Sequence, residues 1–231
     1  MKKMEMHIAG RDCVWYAQEN AEYLLVQPVD EHDRALLDSE VAYIADNTDK
    51  RFCLAAFHID DWNRTLTPWE MPLLHGKGRF GSGAAETLDW MCRHLLPYCT
   101  ERLGMAQGSA RCFLGGYSLA GLFALWSGYQ TDQFCGVAGV SPSVWYEGWL
   151  EFAAKSSLHA ESVYLSLGTK EENAKHPVLA QIGHRIREYA HILADSDRAP
   201  RHVLEWNEGG HFSDSDTRTA KGFLWLLQNG G

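Results

Sequence analysis

The sequence predicts an α/β fold, a three-layer sandwich on a mostly parallel central sheet, in a single domain over residues 1-231. Three observations carry this. From Arg111 onward, short strand-like runs alternate with segments of helical period, the pattern of a parallel sheet covered by helices on both faces. The run Phe52-Cys53-Leu54-Ala55-Ala56-Phe57-His58-Ile59 is nearly all apolar, which suits a strand buried on both sides. Two closely spaced aromatic and branched runs stand before it and predict antiparallel N-terminal strands.

Those first runs are Cys13 to Ala17 and Tyr23 to Gln27, with a turn expected at Pro28-Val29-Asp30 and a short helix over Ser39 to Ala45. Asp60 to Gly83 is long and irregular, with Pro68, Pro72 and four glycines. Long ordered loops of this kind often serve function. A helix follows from Ala84, where Leu88, Met91, Leu95, Cys99 and Leu103 make one apolar stripe. The alternating half then reads as strands at Arg111 to Gly116, Gly136 to Val140, Val163 to Leu167 and Val203 to Trp206. Its helices read as Leu119 to Tyr129, Trp145 to Ala154, Val178 to Leu193 and Thr217 to Leu227.

Composition narrows the function. The 231 residues are 45% hydrophobic and 22% charged, ordinary for a globular domain. A net charge of −9 with no basic run argues against nucleic acid and against an anionic membrane surface. The first residues, Met1 to His7, lack the apolar core of a secretion signal, and the sequence has no apolar stretch of spanning length. Six scattered cysteines without a C-x-x-C pair read as buried thiols. Together these predict a cytoplasmic protein.

Chemistry centres on Gly116-Tyr117-Ser118-Leu119-Ala120-Gly121, where a strand meets an apolar helix. A serine on so sharp a turn needs small neighbours two residues either side, here Gly116 and Ala120. The helix beginning at Leu119 directs its first N–H groups at the site, where they stabilise developing negative charge. That pattern predicts the α/β-hydrolase fold, whose chain order is serine, then carboxylate, then histidine. His211, in Glu208-Gly209-Gly210-His211, follows the last strand and is the expected base. Glu171 and Glu172 follow the strand Val163 to Leu167, and spacing leaves both open as the acid. Asp195 and Asp197 come too late in the chain. The oxyanion donors are expected at the Leu119 N–H and in the loop near Ile59 or Asp60. His58, Asp60 and Asp61 hint at a metal, but no metal-binding spacing accompanies them, so neither metal nor cofactor is expected. Gly76 to Gly83 matches no phosphate-binding motif and reads as a flexible loop near the site.

These residues together resemble the esterase family of the α/β-hydrolase superfamily that includes esterase D-type enzymes, feruloyl esterases, enterochelin and salmochelin esterases and the mycolyltransferases. Asn63-Arg64-Thr65-Leu66-Thr67-Pro68-Trp69 resembles the R-x-x-T-P loop of its siderophore-esterase branch. Val140-Ser141-Pro142-Ser143-Val144-Trp145-Tyr146 resembles its S-P-S-x-W-W segment. Gly168-Thr169-Lys170-Glu171 matches the G-x-x-[DE] acid position, which implies Glu171 rather than Glu172, and Gly209-Gly210-His211 matches the histidine loop. Ala120 departs from the family's glycine. The resemblance implies a serine hydrolase that cleaves a small-molecule carboxylic ester through an acyl-enzyme on Ser118, with Asp60, Arg64, Trp69, Tyr117 and Trp145 as candidate pocket residues. Trp62 and Trp149 are further candidate aromatic walls. An acyltransferase with the same residues and a non-catalytic ligand-binding relative remain open alternatives.

Overall fold

The computed structural model of the chain describes residues 1–103, 111–196 and 200–230; Asp197 and the side chain of Leu103 lie outside that description. Its eight strands are β1 (Lys2–Ile8), β2 (Arg11–Ala17), β3 (Tyr23–Val29), β4 (Phe52–His58), β5 (Arg111–Tyr117), β6 (Gly136–Val140), β7 (Ser162–Gly168) and β8 (Arg201–Asn207). They form one sheet in the order β1-β2-β4-β3-β5-β6-β7-β8.

The sequence reading misses β1. Its alternation is present, since Met4, Met6 and Ile8 turn inward between outward Lys3, Glu5 and His7. Ala9 and Gly10, at φ +43° and +88°, turn it straight into β2. Two positive-φ residues make the kind of hairpin turn that matches strand twist. The antiparallel part of the sheet is β1, β2 and β4. The Tyr23 run is instead parallel, wedged between β4 and β5 with Tyr23 opposite both Phe52 and Arg111. The reason is the crossover after it. Helix α1 (Glu31–Asp46) is a full 16 residues, starting well before Ser39 because the Asp30 carboxylate caps the Asp33 N–H at 2.8 Å. Pro28 stays inside β3, where the pairing with β5 has already ended at Val26.

The remaining helices are α2 (Trp62–Thr65), α3 (Ala84–Trp90), α4 (Leu96–Leu103), α5 (Leu119–Ser127), α6 (Trp149–Lys155), α7 (Ile182–Asp195) and α8 (Ser215–Asn229). A π-turn over Met91–Leu95 joins α3 to α4 ahead of Pro97. Trp145 to Gly148 is a turn rather than the start of α6, because Gly148 takes a left-handed conformation (φ +81°). Helices α1 and α8 cover one face through Leu37, Val41, Ile44, Phe223 and Leu226. Helices α3, α5, α6 and α7 cover the other through Leu88, Leu122, Trp149 and Ile186. Every residue of α5 is buried, so its lack of a polar side suits a helix enclosed on the sheet. No helix among the described residues is long and apolar enough to cross a membrane.

Candidate active site

Ser118 sits between β5 and α5 with φ +57° and ψ −117°, a conformation that L-residues rarely adopt. Its N–H donates to the Val140 carbonyl at 3.0 Å, and its own carbonyl accepts from Leu122 and Ser143. The turn is steric in origin. A Cβ at Gly116 would lie 2.6 Å from the Ala120 Cβ, and one at Gly121 would lie 2.9 Å from the Gly116 carbonyl oxygen. Ala120 is therefore accommodated because position 116 has no side chain.

Two segments converge on this serine. His211 follows β8, and its Nε2 lies 3.1 Å from Ser118 Oγ. Its Nδ1 lies 2.8 Å from Glu171 Oε2. Glu171, in the short turn after β7, is buried. Burial alone would raise its pKa. The His211 hydrogen bond and charge, with donors from Ser141 and the Gly168 N–H, outweigh burial and bring the carboxyl down to about 2. An ionised Glu171 only accepts, so Nδ1 carries the imidazole proton and Nε2 is left to accept from the serine. Glu172 points away and pairs with Arg187 at 2.7 Å.

Sequence reasoning missed Arg218 on the first turn of α8. Its side chain is 2% exposed and Glu171's is 5%. Nη2 donates to Glu171 Oε1 at 3.0 Å and to Ser141 Oγ, and Nη1 donates to the Gly210 carbonyl at 3.1 Å. Ser141 Oγ in turn donates to Glu171 Oε1 at 2.7 Å. The guanidinium also lies over the Tyr117 ring, 5.3 Å from its centroid, and the Tyr117 hydroxyl donates to the His211 carbonyl at 2.7 Å. One signal was available. Arg218 lies on the line of Gly222 and Leu226, the buried stripe of α8, where a charge needs a partner.

The candidate pocket residues divide. Trp145 lines a cavity of about 660 Å³ over Ser118, together with Trp62, Leu73, Phe80 and Leu119. Tyr117 lies behind the site instead. Trp69 is turned aside, with its indole N–H on the Glu147 carbonyl at 2.8 Å. Trp149 is a core residue. Asp60 is exposed beside His58 at 3.4 Å. Arg64 is exposed, its backbone N–H on Asp61. Neither residue is part of the cavity wall. Ile59 cannot be the second oxyanion donor, because its N–H is spent on the Val29 carbonyl at 3.0 Å. The Gly76 to Gly83 segment belongs to a small hairpin, with Pro72 bridged to Arg79 and the Phe80 N–H on the Met71 carbonyl. Thr67, wholly buried, ties this hairpin to α2 by donating to the Asn63 and Gly81 carbonyls.

The sheet order and the serine turn after β5 define an α/β-hydrolase by fold. No protein-family model matches the sequence, and no curated protein matches it. Solved structures do. An IroE-like serine hydrolase from Shewanella oneidensis is similar over 98% of this chain and 80% of its own, with TM-score 0.80 and 17% identity. The siderophore hydrolase EstA from Aspergillus nidulans is similar over 98% and 94%, with TM-score 0.77 and 18% identity. The enterobactin esterase FES from Shigella flexneri is similar over 98% of this chain but 59% of its own, with TM-score 0.68 and 14% identity. At such identities the likeness speaks to the fold.

Proposed function

We propose that the chain is a serine esterase, cleaving the carboxylic ester of a small molecule through an acyl-enzyme on Ser118. The observation that carries this is the continuous chain from Ser118 Oγ through His211 to Glu171, at 3.1 and 2.8 Å. Related chemistry appears in the names of the structures that share the fold, a serine hydrolase, a siderophore hydrolase and an enterobactin esterase.

The mechanism follows from the geometry. Ser118 Oγ attacks the ester carbonyl as its proton passes to His211 Nε2. Glu171 holds the imidazole in the productive tautomer and stabilises the imidazolium. The carbonyl oxygen becomes an oxyanion held by the Leu119 N–H at the start of α5 and by an amide of the loop after Ile59, where Trp62 and Asn63 line the cavity. His211 then protonates the leaving alkoxide, and water repeats the cycle to free the acid.

The test uses Ser118→Ala and a fluorophosphonate probe. The intact protein is expected to be labelled at Ser118 and to hydrolyse a chromogenic short-chain ester. The variant is expected to lose labelling and on the order of 10⁶ in kcat. Near-parental turnover by the variant would end the proposal. Labelling with turnover only in the presence of an acceptor alcohol would make the protein an acyltransferase, and no labelling at all would make it a binder.

A further inference from the structure

Phe212, the residue after the candidate base, is 97% exposed. Apart from Met1 it is the sole large hydrophobic side chain so exposed among the described residues. Single exposed apolar residues are common and need no explanation. This one also lines the cavity over Ser118, and its ring stands edge-on to His211 with centroids 5.2 Å apart. The loop that carries it is held by local bonds. The Gly210 N–H reaches Ser213 Oγ at 3.1 Å, and the Lys170 N–H reaches the Gly209 carbonyl at 2.9 Å. The second bond ties the histidine loop to the loop after β7, where Ala174, Leu179 and Ile182 line the cavity together with the polar Lys170 and Asn173.

Proton delivery decides which half of an ester meets this side of the cavity. When the tetrahedral intermediate collapses, the bond between carbon and the alcohol oxygen breaks. Its electron pair stays on that oxygen, which takes the proton from His211 Nε2. The leaving oxygen must then lie within hydrogen-bond reach of Nε2, and whatever the alcohol carries emerges beside His211. Trp62, Phe80 and Trp145, on the other loops, remain for the acyl half.

We infer that Phe212 is the floor of an alcohol-side subsite, and that the protein takes esters whose alcohol is apolar and of benzyl size or larger. A bound ring covers the phenyl face that water otherwise wets, and burying it favours such a substrate. The inference rests on the esterase reading, and it adds that both sides of the scissile bond are apolar.

Three esters test it: ethyl acetate, benzyl acetate and ethyl phenylacetate. The two acetates share one acetyl-enzyme, so the ratio of their kcat/KM values isolates the alcohol. The intact protein is expected to prefer benzyl acetate. Phe212→Ala should lower the benzyl-to-ethyl ratio about tenfold, and Phe212→Leu should keep a good part of it. Three results overturn the subsite: a parental preference for ethyl acetate, an equal fall on both acetates, or a larger fall on ethyl phenylacetate than on benzyl acetate. Failure of the esterase reading looks different. None of the three esters would then show turnover that depends on Ser118, and both conclusions would go together.

Discussion

Arg218 and Glu171 form a buried ion pair behind the candidate base, with Nη2 3.0 Å from Oε1 while His211 holds the other carboxylate oxygen at 2.8 Å. The acid thus serves two cations when the imidazole is protonated. Each is aimed at a separate oxygen, so neither displaces the other.

The first prediction concerns that pair. Arg218→Met keeps an unbranched apolar stem, loses the guanidinium head and leaves a buried carboxylate without its permanent counter-charge. Breaking a buried pair from one side typically costs about 3–5 kcal/mol. Urea denaturation is expected to show a loss of that order, with a smaller one for Arg218→Lys, which keeps the charge but loses the forked donor.

The two neighbouring glutamates should separate cleanly. Glu171→Gln replaces the acceptor that sets the imidazole tautomer, and kcat should fall on the order of 10⁴. Glu172→Gln touches only the exposed pair with Arg187, which contributes about 1 kcal/mol or less. Steady-state kinetics should leave its kcat close to the parent. The opposite order would move the acid to Glu172.

The serine turn makes a third prediction. Gly116→Ala drives a methyl to within 2.6 Å of the Ala120 Cβ. Overpacking of this kind costs about 1–3 kcal/mol, more where backbone must shift. Thermal unfolding should show the loss. Adding Ala120→Gly should recover part of it, giving a non-additive double mutant. Simple addition of the two single effects would show that these positions do not share the same space.

A fourth prediction concerns pH and a buried carboxyl. Glu40 of α1 is buried against β3, where the Gln27 amide donates to its Oε2 at 3.2 Å. Burial, helped by Asp33 and Asp216 and opposed by the Gln27 bond, pushes its pKa up from 4.5 to about 8. The folded chain therefore holds a proton that the unfolded chain releases above pH 4.5. Stability falls as pH rises from there to about 8 and is then level in this respect. Glu40→Gln should raise Tm at pH 9 by several degrees more than at pH 5. Equal shifts at both pH values would show that Glu40 is not protonated in the fold.

How much of this was legible follows from the range of each signal. The serine turn, the strand-to-helix alternation and the histidine loop are local, since small residues and period reveal them. Glu171 could be separated from Glu172 by family likeness, whereas the structure separates them by direction: one faces His211 and the other Arg187. The long-range facts stayed hidden. Whether the Ile59 amide is free depends on Val29, thirty residues away in a neighbouring strand. Whether Arg218 is a surface cation or a buried one depends on where α8 docks. The place of β3 between β4 and β5 depends on a crossover helix whose cap, Asp30, reads equally well as a turn residue.

The packing of α8 has a consequence for biosynthesis. Ser118 leaves the ribosome well before His211 and before Arg218, the partner of Glu171. On the proposed reading, a nascent chain thus carries its nucleophile long before the base and the acid are in place. The site is completed when α8 settles beside α1, an element made much earlier. The proposed chemistry therefore waits on the meeting of α1 and α8, and a change in α8 that displaces Arg218 is expected to weaken it without touching Ser118.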